Sequence, residues 1–130
     1  MALDRVRHRK KMKIVLPDTN IILWTFQGGP DFREAITEIA PGHEIYIPNC
    51  VIDELRKMNS KESIAALKFC ENITILDVGK GYADDLLIKY ARKGYLIATN
   101  DKEILETLKI NQINALRTRG KNALIMTEGL

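Results

Sequence analysis

The chain has little that would cross-link it, bind a soft metal or hold it in a membrane. Only two cysteines, Cys50 and Cys70, occur in 130 residues. Neither stands in a Cys-x-x-Cys or Cys/His pattern, which argues against a disulfide scaffold and against a zinc site, and leaves buried free thiols as the reading. The two histidines fare no better: His8 lies in a charged arm and His43 follows the turn Pro41-Gly42. No apolar run approaches the roughly 18 residues that span a bilayer, and the basic start lacks an apolar h-region with a cleavage site. A cytoplasmic protein without membrane contact is therefore expected. Repeats and low-complexity segments are lacking, and Gly79-Lys80-Gly81 is too short for a dinucleotide fingerprint.

What remains is an ordinary globular composition, 45% apolar and 28% charged. A domain of this size buries roughly two thirds of the surface its unfolded chain exposes, so one core suffices. The net charge of +3 hides an asymmetry, because residues 1–13 carry +5 and the rest carries −2. We read a basic N-terminal arm over residues 1–12 and one domain over residues 13–130. Such an arm either contacts phosphates through counterion release or is a solvated terminus.

From Lys13 short β-branched runs alternate with stretches of helical period, the pattern of an α/β fold with a mostly parallel central sheet flanked by helices. Strands are expected at Lys13–Leu16, Glu44–Ile47, Ile73–Leu76 and Tyr95–Thr99, with shorter ones at Ile113–Leu116 and Ala123–Met126. Helices are expected over Asp31–Ala40, Asn49–Met58, from Asn59 as cap to about Glu71, Tyr82–Lys93 and Asp101–Lys109. Asn59 would cap its helix with Glu62 as capping-box partner, and Gly94 would end the helix before it in the left-handed conformation.

In open parallel sheets the functional crevice lies outside the carboxyl ends of the strands. Asp18 follows the first strand there, and Asp101 follows the strand ending at Thr99; each is equally readable as a helix N-cap. The acidic pairs Asp53-Glu54 and Asp84-Asp85 share an asymmetry on a 3.6-residue period. Asp53 has Lys57, and Asp85 has Lys89, four residues on, the spacing of exposed ion pairs. Glu54 instead shares a row with Val51 and Met58, and Asp84 with Leu87, Ile88 and Ala91, at the edge of the buried stripe. A one-residue change of helix register would exchange Asp84 for Asp85. Acids that converge in a half-buried crevice repel one another unless a cation intervenes, and oxygen-only ligands favour Mg²⁺ or Mn²⁺.

The segments Ile14-Val15-Leu16-Pro17-Asp18-Thr19-Asn20, Pro48-Asn49-Cys50-Val51-Ile52-Asp53-Glu54-Leu55, Tyr82-Ala83-Asp84-Asp85-Leu86-Leu87-Ile88 and Ile97-Ala98-Thr99-Asn100-Asp101 together resemble the PIN-domain nucleases. The resemblance runs from about Lys13 to about Met126 and looks most like the branch with archaeal stand-alone PIN proteins and the small-subunit processome nuclease. It implies a three-layer PIN-like fold and a metal-dependent endoribonuclease acting in ribosomal RNA processing or RNA turnover. Asp18, at the end of the central strand, Glu54, Asp84 and Asp101 would be the catalytic ligands of one or two Mg²⁺ or Mn²⁺ ions. Asn20 and Thr99 would orient ligands or water through hydrogen bonds. The implied partners are single-stranded or structured ribosomal RNA, a second copy of the chain, and an antitoxin or a ribosome-assembly factor. A toxin ribonuclease of a toxin–antitoxin pair and a non-catalytic RNA-binding PIN scaffold are the alternatives.

Around the crevice Lys80, Lys102, Arg117, Arg119 and Lys121 are candidates to guide an RNA backbone, or simply solvated charge. Trp24 and Phe26 either stack on a base or pack in the core, and their spacing favours the core. A phosphoacceptor receiver would need an acidic pair after the first strand, where only Asp18 stands.

Overall fold

The computed structural model describes residues 13–127, so the basic arm over residues 1–12 and residues 128–130 lie outside the described residues. Strand β1 (Ile14–Pro17) is buried along its whole length, which explains its unbroken apolar run. Its alternation divides the core into two. Val15 packs on one face of the sheet with Ile21, Ile22, Phe32, Ile36 and Leu55, whereas Ile14 and Leu16 face Leu87, Ile97, Ile104 and Leu108 on the other.

Helices α1 (Thr19–Thr25), α2 (Phe32–Ile39), α3 (Asn49–Met58) and α4 (Lys61–Phe69) supply the first core, and α5 (Ala83–Arg92) and α6 (Lys102–Ile110) supply the second. The five-stranded sheet between them has the order β2 (Glu44–Ile45), β1, β5 (Leu96–Ala98), β6 (Leu116–Arg119), β7 (Ala123–Met126). All its pairings are parallel except β6 with β7, a hairpin. The expected α/β architecture with a mostly parallel sheet is thus present, although β5 and not β1 is the middle strand.

Four expectations shift. The run Glu44–Ile47 is not one strand, because the chain changes partner at Tyr46: Tyr46 N–H still donates to Val15 O, but Ile47 N–H donates to Thr74 O. Strand β3 (Ile47–Pro48) therefore pairs with β4 (Ile75–Leu76) in a separate two-stranded sheet, which takes the expected third strand out of the main one. Asn59 does not open α4; at φ 46° it closes α3 in the left-handed conformation that asparagine tolerates. Ser60 opens α4 instead, in a reciprocal capping box with Ser63, one residue beyond the expected pair. Strand β6 begins where Ile113–Leu116 was expected to end, since Ile113 N–H is spent on Leu108 O at the end of α6.

Candidate metal centre

The register of the sheet sets the centre. Pro17 lies opposite Ala98, so the next residues, Asp18 and Thr99, leave the two strands side by side. Asp18 N–H extends the ladder by donating to Ala98 O. Its carboxylate is buried, and three donors hold it: Thr19 N–H on Oδ1 at 2.8 Å, Thr99 Oγ1 on Oδ2 at 2.7 Å and Asn20 Nδ2 on Oδ2 at 3.3 Å. Burial pushes the Asp18 carboxyl above its ordinary value; the Thr99 and Thr19 hydrogen bonds pull it back, and the charges of Glu54 and Asp101 push it further up. A carboxylate has about four lone-pair sites, so three donors leave room for one ligand bond.

Thr99 also fixes the second acid, because its hydroxyl accepts from Asp101 N–H at 3.0 Å. Asp101 Oδ1 takes Glu103 N–H and Ile104 N–H, capping α6, and among the described residues its other oxygen has no protein donor. For Asp18 and Asp101 the helix cap therefore leaves carboxylate oxygen sites open to a ligand. Asn20 Oδ1 accepts from Asn100 N–H at 3.0 Å, and Asn100 Oδ1 in turn accepts from Thr118 N–H and Oγ1. One hydrogen-bonded line thus ties α1, the end of β5 and the β6–β7 hairpin together.

Asp84 stands in the first turn of α5 and Glu103 in that of α6, where acids are favoured by the helix dipole. Carboxylate oxygens of Asp84, Asp101 and Glu103 lie within 4.8 Å of one another. Burial raises the Asp84 carboxyl above its ordinary value, helped by the charges of Asp101, Glu103, Asp85 and Glu54. Glu54 is exposed on α3, further out than its row with Met58 implied, and Met58 itself is open to solvent. It nevertheless acts electrostatically on both Asp18 and Asp84. The structure thus brings all four sequence-chosen acids into one electrostatic neighbourhood, though only Asp84 and Asp101 belong to the tight trio.

The third member, Glu103, is not among the acids that the sequence singles out. Its only sequence signal was position, two residues after an N-cap aspartate and so on the same helical turn. Asp53 is exposed and pairs with Arg56 at 3.9 Å, three residues on and not with Lys57. Trp24 and Phe26 pack against the first core, and Phe26 meets the Phe69 ring edge-on with centroids 5.4 Å apart. The basic candidates Lys80, Lys102, Arg117, Arg119 and Lys121 are all exposed. Lys80 lies in the loop before α5 and Lys102 beside Asp101. Arg117, Arg119 and Lys121 lie on the hairpin that continues past the pairing of Leu116 with Ala98.

Oxygen donors alone at this spacing suit a hard divalent ion. A three-layer α/β domain with carboxylates gathered at the carboxyl edge of a parallel sheet has the architecture of the PIN nucleases. Ribonuclease VapC4 of Methanocaldococcus jannaschii is 31% identical over 119 residues, covering 82% of this chain and 91% of that protein. A solved structure, that of the PIN domain endonuclease Utp24, superposes with a TM-score of 0.77 at 25% identity, covering 88% of this chain and 91% of its own. Models of protein families give no match. The chain belongs to the PIN-domain ribonucleases.

Proposed function

We propose that this chain is a Mg²⁺- or Mn²⁺-dependent endoribonuclease that hydrolyses phosphodiester bonds in single-stranded or structured RNA, in ribosomal RNA processing or RNA turnover. One observation carries the reading: carboxylate oxygens of Asp84, Asp101 and Glu103 lie within 4.8 Å of one another, and charge repulsion links Asp18 to Asp101 and Glu54 to Asp84. Like charges so close destabilise each other, and a divalent cation converts that repulsion into ligation. Asp18, Glu54, Asp84 and Asp101, with Glu103 added, are the residues that would hold one or two ions. Once bound, such an ion supplies an activated water at neutral pH and offsets charge developing on the phosphate.

The chain's own residues do the rest. Thr99, Thr19 and Asn20 hold Asp18 in one orientation, and the α6 cap fixes Asp101. Lys80, Lys102, Arg117 and Arg119 attract the RNA backbone at the rim. Cys50 does not serve as a nucleophile: burial, aided by the charge of Asp18, pushes its thiol up to about 11, so it stays protonated at neutral pH. Cleavage leaves 5′-phosphate and 3′-hydroxyl ends. A second copy of the chain, and an antitoxin or a ribosome-assembly factor, are the protein partners this reading carries.

The test uses purified protein and single-stranded RNA. Cleavage with Mn²⁺ or Mg²⁺ that disappears in EDTA, and again in Asp18→Asn, is the expected result. Activity surviving both changes overturns the proposal, and metal binding without cleavage of any RNA would identify a scaffold instead.

A further inference from the structure

Tyr82 is 83% exposed, although an aromatic ring in water forgoes the burial that normally justifies it. It occupies the N-cap position of α5, where Ser, Thr, Asp or Asn would satisfy a free N–H group. Its side chain makes no capping bond, so the position gives up that stabilisation. Neither packing nor capping explains the residue.

Its setting is firm. Asn49, at the start of α3, accepts from Val78 N–H at 2.6 Å and donates to Gly79 O at 3.2 Å, and Gly79 N–H donates to Asp77 Oδ1 at 2.9 Å. Gly79 at φ 90° and Gly81 at φ 141° take backbone conformations that side-chain-bearing residues rarely adopt, which lets the loop turn tightly before Tyr82. Asp84 follows two residues later on the first turn of α5. Two peptide steps span at most about 8 Å, so the backbones of Tyr82 and Asp84 lie within reach of one bound strand. Lys80, two residues before the ring, adds an exposed cation.

We propose that Tyr82 is a stacking platform for a base next to the scissile phosphate, with Lys80 on a neighbouring phosphate. The proposal rests on the nuclease reading and deepens it. A base can lie on an exposed ring only if it is unstacked from its own neighbours, so the platform selects single-stranded over duplex RNA at the cut. Because every base has a π-face, it does so with little sequence preference.

The experiment compares the wild type with Tyr82→Ala, Tyr82→Trp and Ile110→Ala. Ile110 is 82% exposed at the far end of α6 from Asp101 and serves as the control. Binding of a short single-stranded RNA is measured by anisotropy with Ca²⁺, and cleavage with Mn²⁺. Tyr82→Ala is expected to weaken binding by about 5- to 150-fold, the loss of one base–aromatic stack. Tyr82→Trp is expected to retain binding, with its indole fluorescence quenched by RNA, and Ile110→Ala to match the wild type. Replacing the contacted base by an abasic nucleotide removes the difference between Tyr82→Ala and the wild type. If wild type and Tyr82→Ala bind and cleave alike, the platform is overturned while the nuclease reading stands. A wild type that binds RNA through Tyr82 but never cleaves it overturns the nuclease reading alone, and one that neither binds nor cleaves overturns both.

Discussion

Asp18 and Thr99, 81 positions apart in sequence, meet in a buried hydrogen bond of 2.7 Å between carboxylate Oδ2 and hydroxyl. The same hydroxyl accepts from Asp101 N–H, so one threonine sets the position of two acids from two strands. Thr99→Val keeps the shape and β-branching but loses both interactions. We expect it to fold and to lose about 10- to 100-fold in Mn²⁺ affinity or in cleavage rate, the usual effect of removing a group that orients a ligand. Thr99→Ser should retain most of both. Metal titration and cleavage assays on the three proteins decide it.

Glu103 belongs to the close carboxylate trio, whereas Asp85, next to Asp84, does not. Glu103→Gln should therefore raise the Mn²⁺ concentration needed for half-maximal cleavage, and Asp85→Asn should leave it within about twofold, as for a surface change. Equal effects of the two substitutions would exclude Glu103 from the centre.

The raised carboxyl of Asp18 gives a pH dependence whose sign is fixed. With its folded value above the ordinary 3.8, ionised Asp18 costs folding free energy without a cation. That cost is present above the folded value and vanishes as pH falls towards 3.8. In EDTA, Asp18→Asn should melt higher than the wild type at pH 7.5, and the gap should close as pH falls through this window. Adding Mn²⁺ should stabilise the wild type by ligand binding and reverse the order.

The fold, and the placing of Asp18 and Asp101 at strand ends, were legible because the strand cores are short and buried apolar runs. Asp84, and not Asp85, lies beside Asp101, on the helical row through Leu87 and Ala91 that faces the second core. Glu54 lies further out than its helical row implies, because Met58 in that row is exposed where α3 ends at Asn59. Glu103 was missed because its proximity to Asp84 comes from packing α5 on α6, which no local pattern encodes. The partner change at Tyr46 was hidden for a related reason: Ile45 and Ile47 look alike in sequence, but they pair with strands from distant parts of the chain.

Arg117 and Arg119 stand two residues apart on β6, hence on one side of the sheet, and both are exposed. Replacing each by alanine should weaken RNA binding uniformly across sequences. If each contacts one phosphate, the slope of log affinity against log salt should fall by about 0.7 per arginine for a single strand. An unchanged slope would leave these arginines as solvated charge.

Asn49 joins the start of the helix bearing Glu54 to the loop that presents Lys80 and Tyr82. Asn49→Ala strips Val78 N–H of its acceptor in a partly buried setting, a loss of about 1–3 kcal/mol. For a domain of this size that corresponds to a melting temperature lower by about 3–12 °C. If the loop matters for RNA because it fixes the Tyr82 ring, the two changes are not independent. Asn49→Ala should weaken RNA binding alone, and Asn49→Ala with Tyr82→Ala should bind no worse than Tyr82→Ala. Additive losses would mean that Asn49 acts on RNA by another route, through α3 and Glu54 and not through the ring.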